Sequence, residues 1–282
     1  MKSLLDSVKE AREKGVAIGH FNISDSEGFK AVVEGAKELG VPVIIGVSEG
    51  ERDFIGLKEV VAIVEVEKAN GLPIFLNADH TYSVEKAKVA IDAGVDSVII
   101  DAADKNFEEN VQMTKEIVDY AHSLGREVLV EAELGFIGKS SNLIDKVPDG
   151  VSEETQTKPE EALEFVKLTG IDMLAPSVGN VHGIVKSGEP KLNIERIKKI
   201  SETVSIPLVL HGGSGNQDQE FLDAIAAGIS IIHINTELRV AYKKGVEEGL
   251  KKDEVAPYKF MAEGVEGMKK VVMGRLKLFN RL

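Results

Sequence analysis

Short apolar runs alternate with amphipathic segments along the whole chain. The runs are rich in Val, Ile and Leu, which is typical of strands buried on both faces of a parallel sheet. The sequence predicts eight of them, at residues 16–22, 41–49, 72–79, 96–103, 127–134, 172–179, 206–213 and 230–236. Between them, apolar residues recur three or four positions apart, as they do in helices that pack on a sheet.

This repeat predicts the α/β class and, within it, a single (β/α)₈ TIM barrel domain of residues 1–282. A doubly wound sheet is the alternative, but the even spacing and the lack of a dinucleotide-binding glycine fingerprint favour the barrel. Two segments exceed the repeat: a long loop after strand five (residues 135–158) and a C-terminal extension (residues 251–282), whose later part predicts an extra helix. Loops longer than about 15 residues in a compact domain are commonly functional.

Composition limits the classes of partner that we expect and indicates a cell compartment. Lys and Arg number 34 against 47 Asp and Glu, so the net charge is −13, which argues against nucleic acid. No apolar run approaches the roughly 20 residues that span a bilayer. The charged start predicts an amphipathic helix rather than a signal peptide, so we expect a cytoplasmic protein with no membrane partner. The chain has no cysteine, which excludes disulfides, a thiolate nucleophile and cysteine metal sites.

Chemically active side chains concentrate where the predicted strands end. In a barrel of this kind the carboxyl ends of the strands carry the site. The polar residues at these ends are His20, Asn22, Ser48, Asp79, His80, Asp101, Glu131, Glu133, Asn180, His182, His211, Ser214, His233, Asn235 and Thr236. Because buried polar groups are costly unless paired, this concentration indicates a functional site.

Three of these residues are histidines that suit a metal. His80, His182 and His211 each follow a separate apolar run. Three imidazoles that leave a fourth position open are the ligand set of a catalytic zinc. A lone histidine at a strand end is more often a structural hydrogen-bonding residue. We interpret His20 in that way, and His122 as an ordinary residue of a predicted helix.

Two carboxylates have two interpretations. Asp101 and Glu133 either pair with neighbouring cations or orient and complement the metal ligands.

Glycine motifs after two of the histidines indicate an anion site. They read HGIVK at 182–186 and HGGSG at 211–215. Glycine lets backbone N–H groups approach an anion, while Ser214 adds a hydroxyl and Lys186 a positive charge. None of the eight apolar runs contains a lysine, so carbonyl chemistry here would rely on the metal rather than on a Schiff base.

These motifs together resemble one family. The chain is similar to the class II, zinc-dependent fructose-bisphosphate aldolases, more closely the branch with tagatose-bisphosphate and other ketose-bisphosphate aldolases. The similarity runs nearly end to end through GHFN, PVIIGVSEG, DH, DAADKNFEEN, VEAELG, APSVGNVHG, LVLHGGSG and INTELR. It implies reversible cleavage of fructose 1,6-bisphosphate, a reaction of glycolysis and gluconeogenesis, to dihydroxyacetone phosphate and glyceraldehyde 3-phosphate.

The resemblance also implies residue roles. Zinc would lie on His80, His182 and His211, with Asp79 as the catalytic acid/base and with Glu133 and Asp101 supporting the metal. Sugar phosphate would contact Asn22, Ser48, Gly183, Lys186, Gly212, Ser214, His233, Asn235, Thr236 and Arg239. Of these, Arg239 matches an arginine that reaches the far phosphate across a subunit interface in some members. A monovalent cation (Na⁺ or K⁺) and a homodimer or homotetramer are further implications.

Two places depart from the family pattern. The long loop lacks the usual glutamate and carries only Asp145 and Asp149, and His233 stands where Asn is usual. Both lie on the substrate side of the metal, so another ketose phosphate, such as tagatose 1,6-bisphosphate, is an alternative substrate. Two other functions stay open: a metal-dependent barrel hydrolase, which GHFN does not favour, and a sugar-phosphate binder without turnover, against which Asp79 argues.

Overall fold

Eight parallel strands close into a barrel in the computed structural model, which describes residues 2–138, 141–187 and 191–282. In spatial order the barrel strands are β1 (Ile18–Asn22), β2 (Val43–Val47), β3 (Ile74–Thr81), β4 (Ser97–Ile100), β5 (Leu129–Leu134), β7 (Met173–Pro176), β9 (Leu208–Leu210) and β10 (Ile229–Ile234). Each coincides with one of the predicted apolar runs, although β3 extends two residues past its run and β10 begins one residue before its run, so the (β/α)₈ TIM barrel is confirmed. The strands are mostly shorter than the runs because the runs continue into the turns.

Helices surround the barrel and join consecutive strands. They are α1 (Leu4–Lys14), α2 (Ser26–Leu39), α3 (Glu49–Ile55), α4 (Leu57–Ala69), α5 (Val84–Ala93), α6 (Phe107–His122), α7 (Pro159–Thr169), α8 (Ile194–Thr203), α9 (Asp218–Ala227), α10 (Thr236–Gly249), α11 (Pro257–Phe260) and α12 (Ala262–Asn280). Among these described helices, none is both long and apolar enough to cross a membrane.

The first helix closes the amino end of the barrel. Leu4, Val8 and Ala11 of α1 are buried against residues that the strands point into the barrel, including Ile44 and Phe75. With that end filled by apolar side chains, the carboxyl end is left for polar groups.

The long loop after β5 contains structure that periodicity does not predict. Leu143–Ile144 (β6) pairs in parallel with Ile184–Val185 (β8) to form a two-stranded sheet. A short 3₁₀ helix follows at Glu153–Thr155. Lys139 and Ser140 of this loop lie outside the described residues. The small sheet joins the loop after β5 to the loop after β7, beside the carboxyl end of the barrel.

The predicted extra helix at the C-terminus is α12. It packs against α2, α10 and β1. Its apolar side, with Val272, Leu276 and Phe279, is fully buried.

Candidate metal centre and active site

The three predicted histidine ligands meet at the carboxyl end of the barrel. His80 lies near the end of β3, His182 in the loop after β7, and His211 directly after β9. Their ring centroids are 4.7 Å (His80–His182), 5.1 Å (His80–His211) and 5.8 Å (His182–His211) apart. Glu133 of β5 joins them, and the four candidate ligand atoms all lie within 4.8 Å of one another.

The hydrogen bonds of the imidazoles determine which ring nitrogens are free to bind a metal. His182 Nδ1 lies 2.7 Å from the Gly138 carbonyl oxygen, which can only accept, so Nδ1 donates and Nε2 keeps its lone pair. His211 Nε2 lies 2.7 Å from Glu131 Oε1, and His211 Nδ1 has no hydrogen-bond partner. Both rings therefore present one free lone pair, as metal-bound imidazoles do.

Glu133 also offers a free acceptor, one of its carboxylate oxygens. Its Oε2 is buried without a hydrogen-bond partner, 3.9 Å from His80 Nδ1 and 4.0 Å from His211 Nδ1. Unpartnered buried polar atoms are rare and call for an explanation. Three nitrogens and a carboxylate oxygen around one point are a donor set that fits zinc, so the residues present fit the metal that the sequence predicts.

The charges around His80 favour a cation at this point. Burial by itself lowers the pKa of His80, but Asp79, Asp101 and Glu133 outweigh it and raise the pKa to about 10. His80 Nδ1 lies 2.8 Å from Asp101 Oδ2, so Asp101 orients this ring. Burial lowers the pKa of His182 to about 4, so that imidazole is neutral and ready to act as a ligand.

The main chain at His80 is held in an unusual conformation. His80 has φ +34°, a region that residues other than glycine seldom adopt. The buried guanidinium of Arg52 donates to the carbonyl oxygens of Val47 (2.6 Å) and Asp79 (2.9 Å) and to Thr81 Oγ1 (3.1 Å). These bonds secure the chain on both sides of His80. Arg52 was missed in the sequence, where it is one charged residue in a polar helix start.

Asp79 has the position and charge of a base. Its Oδ2 accepts from Asn22 Nδ2 at 2.8 Å, while Oδ1 is buried without a hydrogen-bond partner. Burial alone raises the pKa of Asp79, but the charge of His80 and the contact with His233 outweigh it, and the pKa lies well below its usual value. The carboxylate is therefore ionised and has one oxygen free to accept a proton.

Two neighbouring cavities open over these groups. The larger, of about 330 Å³, is lined by Ser48, Asp79, His80, Tyr82, Asp101, Gly138, Ser141, Asn142, His182, Asn235 and Arg239. A narrow recess beside it is lined by Asn22, Asp79, His80, Ser141, His182, Gly183, His211, Gly212, Gly213, Ser214, His233, Asn235 and Thr236. Most of the predicted substrate-binding residues thus come together around the metal ligands.

The recess is built from the glycine motif after β9. Gly212 has φ +60°, and a Cβ there would lie 2.4 Å from the Val181 carbonyl oxygen, so only glycine permits this turn to pack against the His182 segment. Ser214 Oγ accepts from the backbone nitrogens of Asn235 (3.2 Å) and Glu237 (3.3 Å). Ser214 therefore joins this turn to the amino end of α10.

Lys186, a predicted phosphate-binding residue, and Asp145 of the long loop lie away from the recess. Lys186 Nζ donates to Asp145 Oδ1 at 2.9 Å, and neither residue is among the described residues that line the recess or the larger cavity. The Asp145 side chain is 89% exposed. In this arrangement the Lys186–Asp145 ion pair links the ends of β6 and β8.

His233 lies in a column of imidazoles. Its ring stacks on His20 (centroids 3.4 Å apart, planes 2° apart) and on His211 (3.9 Å, 29°). His20 and His233 lie in parallel planes, so their in-plane lone pairs do not converge on one ion, and the grouping of His20, Asp79 and His233 is a poor metal site. His20 instead contacts Asn77 Oδ1 at 3.3 Å, in keeping with its interpretation as structural.

Comparisons with known proteins agree with this site. The family model described as "Fructose-bisphosphate aldolase class-II" matches residues 2–281. The chain is 43% identical to a fructose-bisphosphate aldolase of Geobacillus stearothermophilus and 41% identical to one of Staphylococcus epidermidis. Both comparisons span 284 residues, with 99% of this chain and 96% of each relative covered.

Solved structures of aldolases are also similar to the chain over nearly its whole length. The YdjI aldolase of Escherichia coli matches with a TM-score of 0.85 at 34% identity, covering 98% of this chain and 96% of that one. A fructose-bisphosphate aldolase of Campylobacter jejuni matches with a TM-score of 0.76 at 25% identity, covering 98% and 94%. The chain belongs to the class II fructose-bisphosphate aldolase family and is a metal-dependent aldolase, a carbon–carbon lyase.

Proposed function

We propose that the protein reversibly cleaves fructose 1,6-bisphosphate to dihydroxyacetone phosphate and glyceraldehyde 3-phosphate, with Asp79 as the acid/base beside a zinc ion. One observation carries the proposal. The free oxygen of Asp79 lies next to three histidines and Glu133, whose candidate ligand atoms all lie within 4.8 Å of one another. The relatives named fructose-bisphosphate aldolase support this choice among sugar phosphates.

The residues that would hold zinc are His80, His182 and His211, with Glu133 as a further ligand or supporting carboxylate. When bound, zinc supplies a Lewis acid that polarises the ketone of the sugar. Asp101 contacts His80 and Glu131 contacts His211, and such contacts orient imidazoles towards a metal. The resemblance also implies a monovalent cation near the phosphate, and we expect one there.

Asp79 would handle the proton of the C4 hydroxyl. Its free Oδ1 accepts that proton as the C4 carbonyl forms and the bond between C3 and C4 breaks, with the electron pair left on C3. A proton from solvent then completes dihydroxyacetone phosphate, and condensation reverses these steps. Asn22 holds the other oxygen of Asp79 at 2.8 Å, so the carboxylate does not need to reorient during the reaction.

The two cavities would take the two ends of the sugar. Gly183, Gly212 and Ser214 line the recess, and the backbone N–H groups of such glycine turns suit the phosphate of the ketone fragment. Arg239 lies at the larger cavity and suits the far phosphate. We expect a homodimer or homotetramer, as the resemblance implies.

Tagatose 1,6-bisphosphate is the alternative substrate. It differs from fructose 1,6-bisphosphate only in the configuration at C4, the carbon whose hydroxyl would face Asp79. His233 Nδ1 lies 3.5 Å from Asp79 Oδ1, so the residue that departs from the family pattern lies beside this carbon's expected position.

The Asp79→Asn variant tests the acid/base role. Because general acid/base groups contribute about 100- to 10,000-fold, we expect cleavage of fructose 1,6-bisphosphate to fall by at least about 100-fold. Zinc content, measured by elemental analysis, should match the wild type. Wild-type turnover by Asp79→Asn would refute this role.

A further inference from the structure

Helix α3 contributes a buried carboxylate to the site. Glu51 lies in the first turn of α3 and is 7% exposed. Its Oε2 accepts from the Ser48 backbone nitrogen (2.8 Å) and from Asn22 Nδ2 (2.9 Å), and its Oε1 accepts from Arg239 Nη2 (2.7 Å). Three donors satisfy a charge that would otherwise be costly to bury.

Glu51 fixes the amide of Asn22. An amide nitrogen carries two hydrogens, and Asn22 donates one towards Glu51 Oε2 and the other towards Asp79 Oδ2. Turning the amide over would place its oxygen against two carboxylates. The nitrogen must therefore face them, and both of its hydrogens are used before any substrate binds.

The same bonds decide which oxygen of Asp79 is free. Asn22 occupies Oδ2 at 2.8 Å, and Oδ1 is left without a hydrogen-bond partner. Without Glu51, the Asn22 side chain would lose one of its two anchors and could rotate away. Asp79 would then lose the contact that distinguishes its two oxygens.

We propose that Glu51 is a positioning residue for the aldolase reaction: through Asn22 it holds the Asp79 carboxylate with Oδ1 towards the reacting hydroxyl. The inference rests on the proposed acid/base role of Asp79. The competing interpretation is that Glu51 only caps α3 and pairs with Arg239. The two differ in what they predict for kcat.

Three variants of α3 separate these interpretations. Glu51→Met keeps the side-chain length but removes the acceptors, and we expect kcat to fall about tenfold because misplaced groups react slowly. The competing interpretation instead predicts a rise in KM at an unchanged kcat, because the loss would then be confined to the ion pair with Arg239, which would bind the far phosphate. Glu51→Gln keeps an acceptor for Ser48 and Asn22 while losing the ion pair, so kcat should return to within about threefold of the wild type. Asp53→Asn removes an exposed charge from the same helix and should change neither constant.

A double variant tests whether Glu51 acts through Asp79. In the Asp79→Asn background, Glu51→Met should cause little further loss of kcat, because the group that it positions is already gone. If the fold loss of kcat in the double variant equals the product of the losses in the two single variants, the inference is overturned. A wild-type kcat for Glu51→Met with unchanged zinc content would also overturn it.

Failure of this inference is distinguishable from failure of the proposed function. A wild-type kcat for Asp79→Asn would refute the acid/base role of Asp79 and, with it, the positioning role of Glu51. An inactive Asp79→Asn variant beside a fully active Glu51→Met variant would refute only the role of Glu51. If Glu51→Met does not fold, Glu51→Asp serves instead, because its carboxylate is one methylene too short to reach Asn22. The same loss of kcat is expected, and a wild-type kcat would overturn the inference.

Discussion

At the scale of single residues, the site depends on which atom of each side chain is left free. His211 shows this most clearly, because both of its nitrogens are buried and only Nε2 has a partner, Glu131. That contact leaves Nδ1 pointing among the other candidate ligands. A ligand in the wrong tautomer would present a proton instead of a lone pair, so Glu131 matters for the metal without touching it.

The Glu131→Gln variant tests that contact. An amide holds the imidazole less firmly than a carboxylate, and we expect zinc affinity to fall about tenfold, measured by competition with a chromogenic chelator. Glu127→Gln, an exposed glutamate just before the same strand, is the control and should bind zinc like the wild type. Equal affinity in both variants would contradict the role of Glu131.

The His233→Asn variant tests the imidazole column. Asn is smaller and replaces a stacked ring beside Asp79, so the ratio of kcat/KM for fructose and tagatose 1,6-bisphosphates should shift by about fivefold or more. The free energy of unfolding should fall by only about 1 kcal/mol. His122→Asn, on the exposed end of α6, is the control. An unaltered ratio would mean that His233 does not affect the choice of substrate.

The site residues at strand ends are predictable from the sequence, whereas the residues that support them are not. Asp79, His80, His182 and His211 each follow an apolar run, and parallel strands bring their carboxyl ends together. Glu51 and Arg52 carry no such signal. They lie in a charged helix start that is typical of a solvent-exposed turn, and only tertiary packing buries them.

At the scale of elements, helix α3 supports strand β3. Arg52 donates to Asp79 O and Thr81 Oγ1, on either side of the residue with positive φ. A buried guanidinium with this bonding secures the chain around the sparsely populated backbone conformation of His80. The short helix after β2 thus serves the metal ligand on the next strand.

The Arg52→Met variant tests this support. The variant keeps most of the side-chain bulk but leaves buried acceptors unpaired, so the free energy of unfolding should fall by about 3 kcal/mol in urea titrations. Lys58→Met, an exposed position on α4, should change it by less than about 0.5 kcal/mol. A stability equal to that of the control would show that the Arg52 bonds are dispensable.

Elements with a strong period were predictable, and those without one were not. The barrel strands and α12 have long apolar patterns, which the sequence displays directly. The β6–β8 pair has two residues in each strand, too few for a period, and it depends on two loops meeting in space. Helix α3 has seven residues and follows its strand at once, so the sequence alone merges it with the turn.

At the scale of the whole molecule, the apolar packing of helix α1 and the metal ligands lie at opposite ends of the barrel. Helix α1 fills the amino end with apolar side chains, and the metal ligands gather at the carboxyl end. Substitutions at the two ends should therefore have separable effects.

The Val8→Ala variant tests this separation. Val8 is fully buried in α1, so the free energy of unfolding should fall by about 2 kcal/mol. Zinc affinity and KM should not change, since the site lies at the other end. Val66→Ala, at a position that is 58% exposed, is the control for stability. A loss of zinc from folded Val8→Ala protein would show that the two ends are coupled.

The most direct test of the central claim is cleavage of fructose 1,6-bisphosphate by the wild-type protein in three states: zinc-loaded, chelator-treated, and chelator-treated with zinc restored. Dihydroxyacetone phosphate is followed in each, with zinc measured in the same samples. We predict turnover that stops when zinc is removed and returns when it is restored. Undiminished turnover without metal, or stoichiometric zinc without cleavage, would contradict the account.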